Sequence, residues 1–200
     1  MLKTPLPLCL CAAALALGGC NQSDTGNTAE PDQSSEATDA AGEQTIAASL
    51  AQDSRFLAAA RAVGLDATLA GPGPYTVLVP SDEAFGQVEG GVLTDTANPQ
   101  NRGEVTTLLT YHILPGVILA EDIGQAIDNG QGRAVLATMG GETLTATREG
   151  DNIVLGDSGG GKATITQADM KKSNGVVHNI DRVLTPPQPG QASEQESPTG

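Results

Sequence analysis

The sequence has no tryptophan, and in 200 residues it has only two tyrosines and two phenylalanines. Phe56, Tyr75, Phe85 and Tyr111 are all the aromatic bulk there is, so a core must be filled by Val, Leu, Ile and Ala. Cysteine is almost as scarce. Cys9, Cys11 and Cys20 are the only three, and none lies beyond the first twenty residues, which excludes a disulfide framework for the rest. Ten Lys and Arg face 24 Asp and Glu, a formal charge of −14. That balance argues against nucleic acid, whose phosphates need clustered cations, and against electrostatic docking on anionic lipid. The apolar run from Leu6 to Leu17 is too short to cross a bilayer as a stable helix. What remains is one domain with appendages, long enough for a folded part of about 140 residues to bury roughly two thirds of its unfolded surface.

The first twenty residues, MLKTPLPLCLCAAALALGGC, read as an address. One cation, Lys3, precedes an apolar stretch with the proportions of a secretory leader, and Leu17-Gly18-Gly19-Cys20 closes it. This resembles a bacterial lipoprotein signal spanning residues 1–19, with the Cys20 thiol as the acyl acceptor. The chemistry needs a nucleophilic sulfur at the cleavage point and small residues beside it. The other reading is an ordinary signal peptide that contains a Cys. Each buried methylene contributes about 0.8 kcal/mol, and two or more acyl chains anchor stably. Asn21 stands where an inner-membrane retention signal would place Asp. The resemblance therefore implies lipid anchoring in the bacterial cell envelope, at the outer membrane, on its periplasmic face or at the cell surface.

Residues 20–44 form an acidic tether after the lipidated Cys, and residues 188–200 a polar tail. Both offer too little apolar surface to offset ordering entropy, and both are expected to be disordered. Flexible-chain statistics give the tether a reach of roughly 25–30 Å.

The segment between them, 45–187, changes character half-way. Ile46 and Leu50, then Phe56, Leu57, Ala60 and Val63, fall at helical spacing, with Asp53 as a cap for the second helix and Gly64 at its end. GPGP at 71–74 is a turn, YTVLVP a buried strand, and Ser81 a cap with Asp82 and Glu83 in the following first turn. EVTTLLTYHIL reads as a helix running into a short strand, and AEDIGQAI as a short helix. After Gly132 come five strand-like stretches separated by Gly, Asp and Asn turns, with REGDN as a hairpin. Helices early and strands late predict an α+β fold, not a doubly wound sheet.

Gly156-Asp157-Ser158-Gly159-Gly160 has the look of a serine nucleophile, and Gly156 to Lys162 nearly spells a phosphate loop. Both motifs need a helix to follow the turn, and here a strand-like segment follows. Ala163 also replaces the Ser or Thr that would hold magnesium. The stretch is expected to be a hairpin loop, and no catalytic residue and no cofactor are expected.

Three segments in order resemble the fasciclin domain: GPGPYTVLVPSDEAFGQV (71–88), LLTYHILPGVI (108–118) and NGVVHNIDRVLTPP (174–187). The second carries Tyr111, His112, Pro115 and Gly116, and the third Asn174, Gly175, His178, Ile180 and Asp181. Leu78, Val79 and Asn179 depart from the commoner residues. The resemblance implies a wedge-shaped β-sandwich with several helices packed around it. It also implies a non-enzymatic adhesion or interaction module, held to the membrane by its lipid and meeting a protein or polysaccharide partner. In animal relatives an Asp-Ile pair before the last segment is implicated in contacts; here the position reads Asp169-Met170. The alternative function is carriage of a small apolar ligand such as a pigment or lipid.

His112 and His178 invite a metal reading, but no spacing demands one, and both are expected to be hydrogen-bonded parts of the core's edge. Strand alternation places Asp181 among Val177, Asn179 and Val183. A carboxylate there needs backbone N–H donors or a cation, for which His112 is a candidate.

Overall fold

The computed structural model describes residues 42–52, 54–88 and 98–187. Cys20 and the leader, most of the tether, Asp53 and the tail beyond Pro187 lie outside the described residues.

Three short helices open the fold: α1 (Ile46–Ser49), α2 (Arg55–Val63) and α3 (Asp66–Ala70). The side chain that caps α2 is Ser54, accepting from the Leu57 N–H, where the sequence pattern had suggested Asp53. Gly64 ends α2 at φ 86°, a left-handed conformation that a side chain would resist. Strand β1 (Tyr75–Pro80) follows, then α4 (Asp82–Gly86), capped by Ser81 with two acids in its first turn, as expected from the helix dipole. Next come α5 (Arg102–Tyr111), β2 (Ile113–Pro115) and α6 (Ala120–Asn129). Strands β3 (Arg133–Ala137), β4 (Thr143–Glu149), β5 (Asn152–Gly156), β6 (Lys162–Lys172) and β7 (Gly175–Ile180) complete the order.

The seven strands form one mixed sheet in the order β2-β1-β7-β6-β5-β4-β3. From β3 to β7 every neighbour is antiparallel, but β1 and β7 run parallel, Tyr75 opposite Gly175 and Pro80 opposite Ile180. The sheet bends toward a barrel: the Met139 N–H donates to Ile113 O at 2.7 Å, joining the segment after β3 to β2.

Two apolar clusters sit against this sheet. The first packs Ile46, Phe56, Leu57, Leu69, Phe85 and Leu109 from the helices on Val77, Val79 and Val177. Phe56 and Phe85 meet edge-to-face at 6.2 Å. The second gathers Leu78, Tyr111, Leu114, Ile123, Ile127, Leu144, Leu155, Ile180 and Leu184. Alternate residues of β1 therefore enter different clusters. A strand covered on both faces must be apolar throughout, which is why YTVLVP shows no polar alternation. Strands β3 and β4 instead bury one face under α6 and alternate accordingly.

Candidate functional site

The signature residues lie along β2 and β7, the two neighbours of β1, and in the turns at their ends. His112 ends α5 and is fully buried. Its Nδ1 faces Leu108 O at 2.8 Å, so that nitrogen carries the proton, and its Nε2 accepts the Leu184 N–H at 3.0 Å. Burial lowers its pKa to about 4, although the Leu108 carbonyl and the Asp157 charge pull the other way. His178, on β7 and equally buried, has the opposite tautomer. Its Nδ1 accepts the Asp169 N–H at 3.1 Å and its Nε2 donates to Ile118 O at 2.9 Å. All four ring nitrogens are thus committed to backbone, and neither ring is free for a metal or for proton transfer. The rings lie within the core, not at its edge as the sequence had suggested.

Asn174 is the busiest side chain of the set. Its Oδ1 accepts the Ile46 N–H at 2.8 Å, and its Nδ2 donates to Leu69 O at 2.9 Å and Gly71 O at 2.7 Å. One amide thereby fastens the start of α1 and the end of α3 to the β6–β7 turn. At Gly175 a Cβ would run into the Tyr75 carbonyl, so the close parallel approach of β1 requires glycine. Pro115 is exposed opposite Tyr75, and Gly116 turns the chain at φ 92°, its N–H donating to Pro74 O. Thr76, unremarked in the sequence, fixes that turn from below. Its hydroxyl donates to Gly116 O at 2.8 Å and accepts the Ile118 N–H at 2.9 Å.

Asp181 is not the buried acid that strand alternation implied. Strand β7 ends at Ile180, so the alternation stops one residue short and Asp181 is exposed. Its carboxylate does accept a backbone N–H, that of Thr164 at 2.7 Å, but the partners of His112 are Leu108 and Leu184.

Asp169 occupies an irregular stretch of β6, between the register points Gln167↔Asn179 and Met170↔Val177, at φ 59°. Its Oδ1 accepts the Ala120 N–H at 2.8 Å, the first N–H of α6, and its side chain is 38 % exposed. The His178 Nδ1 lies 3.9 Å away but is occupied by the Asp169 N–H, so this is a neighbour and not an ion pair. Met170 is half-buried against the first cluster.

The glycine stretch joins β5 to β6 as an antiparallel hairpin. Asp157 organises it: Oδ1 accepts the Gly161 N–H at 2.7 Å and Oδ2 the Thr185 N–H at 2.9 Å. Ser158 interacts with the buried Tyr111, whose phenol is pushed up by burial and drawn back by that hydroxyl. No helix follows Ser158, and the nearby imidazole of His112 has no nitrogen to spare for it.

A cleft of about 350 Å³ opens on the side of β6 and β7 facing the α1–α2 connection. Val79, Val177, Met170, Leu50 and Ile180 give it an apolar lining; Lys172 and Asp82 are its charged members among the described residues.

The family model of the fasciclin domain matches residues 51–186. This chain belongs to the fasciclin family. A Synechocystis relative, protein sll1483, is 34 % identical over 134 residues, covering 67 % of each chain. Human periostin is 32 % identical over 141 residues, and the porcine transforming growth factor-beta-induced protein ig-h3 34 % identical over 129. This chain covers 70 % and 64 % of its own length in those two alignments, but spans only 15 % of periostin and 17 % of ig-h3. A solved fasciclin-domain pair from the insect cell adhesion molecule Fasciclin I superposes with a TM-score of 0.50 at 26 % identity, covering 67 % of this chain and 45 % of that one. The matched residues 51–186 take in the three signature stretches up to their last residue, so the buried histidines and Asn174 belong to the part that carries the fasciclin fold.

Proposed function

We propose that this chain is a non-enzymatic adhesion or interaction module of the bacterial cell envelope, anchored through acyl chains on Cys20. It presents its fasciclin domain, as a wedge-shaped sandwich, to a protein or polysaccharide of the cell surface or matrix. The observation that carries this reading is the likeness in fold to a domain pair of an insect cell adhesion molecule. Two features of the chain support it. The residues with catalytic side chains serve structure: Ser158 lies in a hairpin, and each imidazole is held by two backbone groups. The leader pattern ending in Cys20 resembles a lipid-anchor signal, and Asn21, which lacks the inner-membrane retention signal, favours the outer membrane. The contact surface we propose includes Met170; the Asp169 carboxylate helps to hold α6 and presents only its remaining oxygen.

The test is attachment of cells to a surface or matrix. A strain lacking the protein, and one carrying Cys20→Ser, lose attachment while the wild-type gene restores it. Attachment unchanged in the deletion strain overturns the adhesive role; attachment unchanged in the Cys20→Ser strain alone overturns the anchor.

The cleft favours a second reading, carriage of a small apolar ligand. Its volume lies near the lower end of the range for ligand pockets, roughly 300–1,000 Å³, and its lining is mainly apolar.

A further inference from the structure

The cleft has a direction. Its floor is β7 and β6, where Gln167 lies opposite Asn179, Met170 opposite Val177, and Lys172 opposite Gly175. On β7 the lining runs from Ile180 to Val177, three strand steps or about 10 Å, and Lys172 continues it on β6. Its wall is the α1–α2 connection, with Ser49, Leu50, Ala51 and Ser54 among the lining residues. The wall runs the same way as the floor: Asn174 holds Ile46 near the Lys172 end, and the Arg55 N–H donates to Asp82 at the other. One end of the trough therefore carries a cation and the other an anion, with Val177, Met170, Leu50 and Val79 between them.

Lys172 is half-buried. The ion pairs among the described residues are Arg148–Asp128 and Lys162–Glu149, beside the His178–Asp169 contact; Lys172 takes part in none. In a chain of net charge −14, an ammonium with no ion-pair partner beside an apolar trough is a recognition group in search of an anion. Asp82 disfavours an anion at the far end, so the apolar stretch between the two charges is left to hydrocarbon.

We propose that this cleft binds a long-chain carboxylate, its alkyl chain laid along β7 and its headgroup on Lys172. The proposal rests on the apolar-ligand reading and adds the headgroup and its orientation. Non-specific attraction by the net charge of −14 favours a cationic amphiphile, so a preference for the carboxylate reports the site and not the overall field.

The test is calorimetric titration of the purified full-length protein with dodecanoate and with dodecyltrimethylammonium, each below its micellar concentration. Dodecanoate binds saturably and more tightly than the cation. Lys172→Met weakens it ~10-fold or more, the loss expected for one charge-assisted hydrogen bond, and leaves the cation unaffected. Lys172→Arg restores binding, while circular dichroism shows all three proteins equally folded. If the cation binds as well as dodecanoate, or Lys172→Met changes nothing, the carboxylate proposal is overturned while the apolar-ligand reading survives. If neither amphiphile binds, both are overturned.

Discussion

Single side chains in this domain do the work that longer elements do elsewhere. Asn174 satisfies a donor and two acceptors that lie on different elements, and all three bonds are 2.9 Å or shorter. Asn174→Ala leaves the Ile46 N–H and the Leu69 and Gly71 carbonyls without their partner in a site that is 8 % exposed. A cost of about 3 kcal/mol follows from the price of orphaned buried polar groups. Urea denaturation checks it: the midpoint falls well below wild type, and Asn174→Asp, which sets an acceptor-only oxygen against the Leu69 and Gly71 carbonyls, falls at least as far. The identity of Asn174 as a signature residue was legible in the sequence, but its partners, more than a hundred residues away, were not. Asp181 shows the opposite failure. Alternation is a rule for strands, and β7 ends one residue before Asp181.

Among the elements, β6 and α6 were each legible from pattern, but the junction between them was not. Asp169 holds it, with its N–H on His178 and its Oδ1 on the first N–H of α6. The residue sits at φ 59°, which Asp and Asn tolerate better than Ala. Asp169→Ala therefore loses a helix-terminal acceptor, worth about 1 kcal/mol, and adds left-handed strain of about 1 kcal/mol. Hydrogen exchange checks this: amides 120–123 at the start of α6 lose protection ahead of the rest of the domain. Asp169→Asn retains both features and stays close to wild type. Local signals found the glycine hairpin and the Ser81 cap because those features are written within a few residues. The register shift in β6 depends on what β7 and α6 offer from outside, and no local period records it. The cleft is likewise made by Leu50, Val79, Met170 and Val177 from four separate stretches.

At the level of the whole molecule, stability is tied to pH through His112. Its folded pKa of about 4 lies below the ordinary 6.5 because burial disfavours the charged ring. Between those values the unfolded chain binds the proton and the folded one does not. The contribution is full above about pH 6.5, declines as pH falls, and is gone near pH 4. Its size is about 3 kcal/mol. Chemical denaturation from pH 7 to pH 4 shows the decline, and the ring resonances of His112 stay those of the neutral Nδ1–H form until about pH 4. A ring that titrates near 6.5 in the folded protein contradicts this account. The α+β class, the helix-then-strand order and the fasciclin resemblance were readable because a strand buried on both faces and three ordered segments leave a plain imprint. The strand order was not, since it is decided by the parallel union of the first strand with the last.

That union governs the moment at which the fold can exist. A polypeptide emerging from its N-terminus first delivers Tyr75 long before Gly175, and the middle of the sheet stays vacant until the final strand arrives. Non-local closure of this kind is slow as well as late. Every partial chain short of residue 180 is therefore a thread without its keystone, and the sheet closes only when the last strand is laid between β1 and β6.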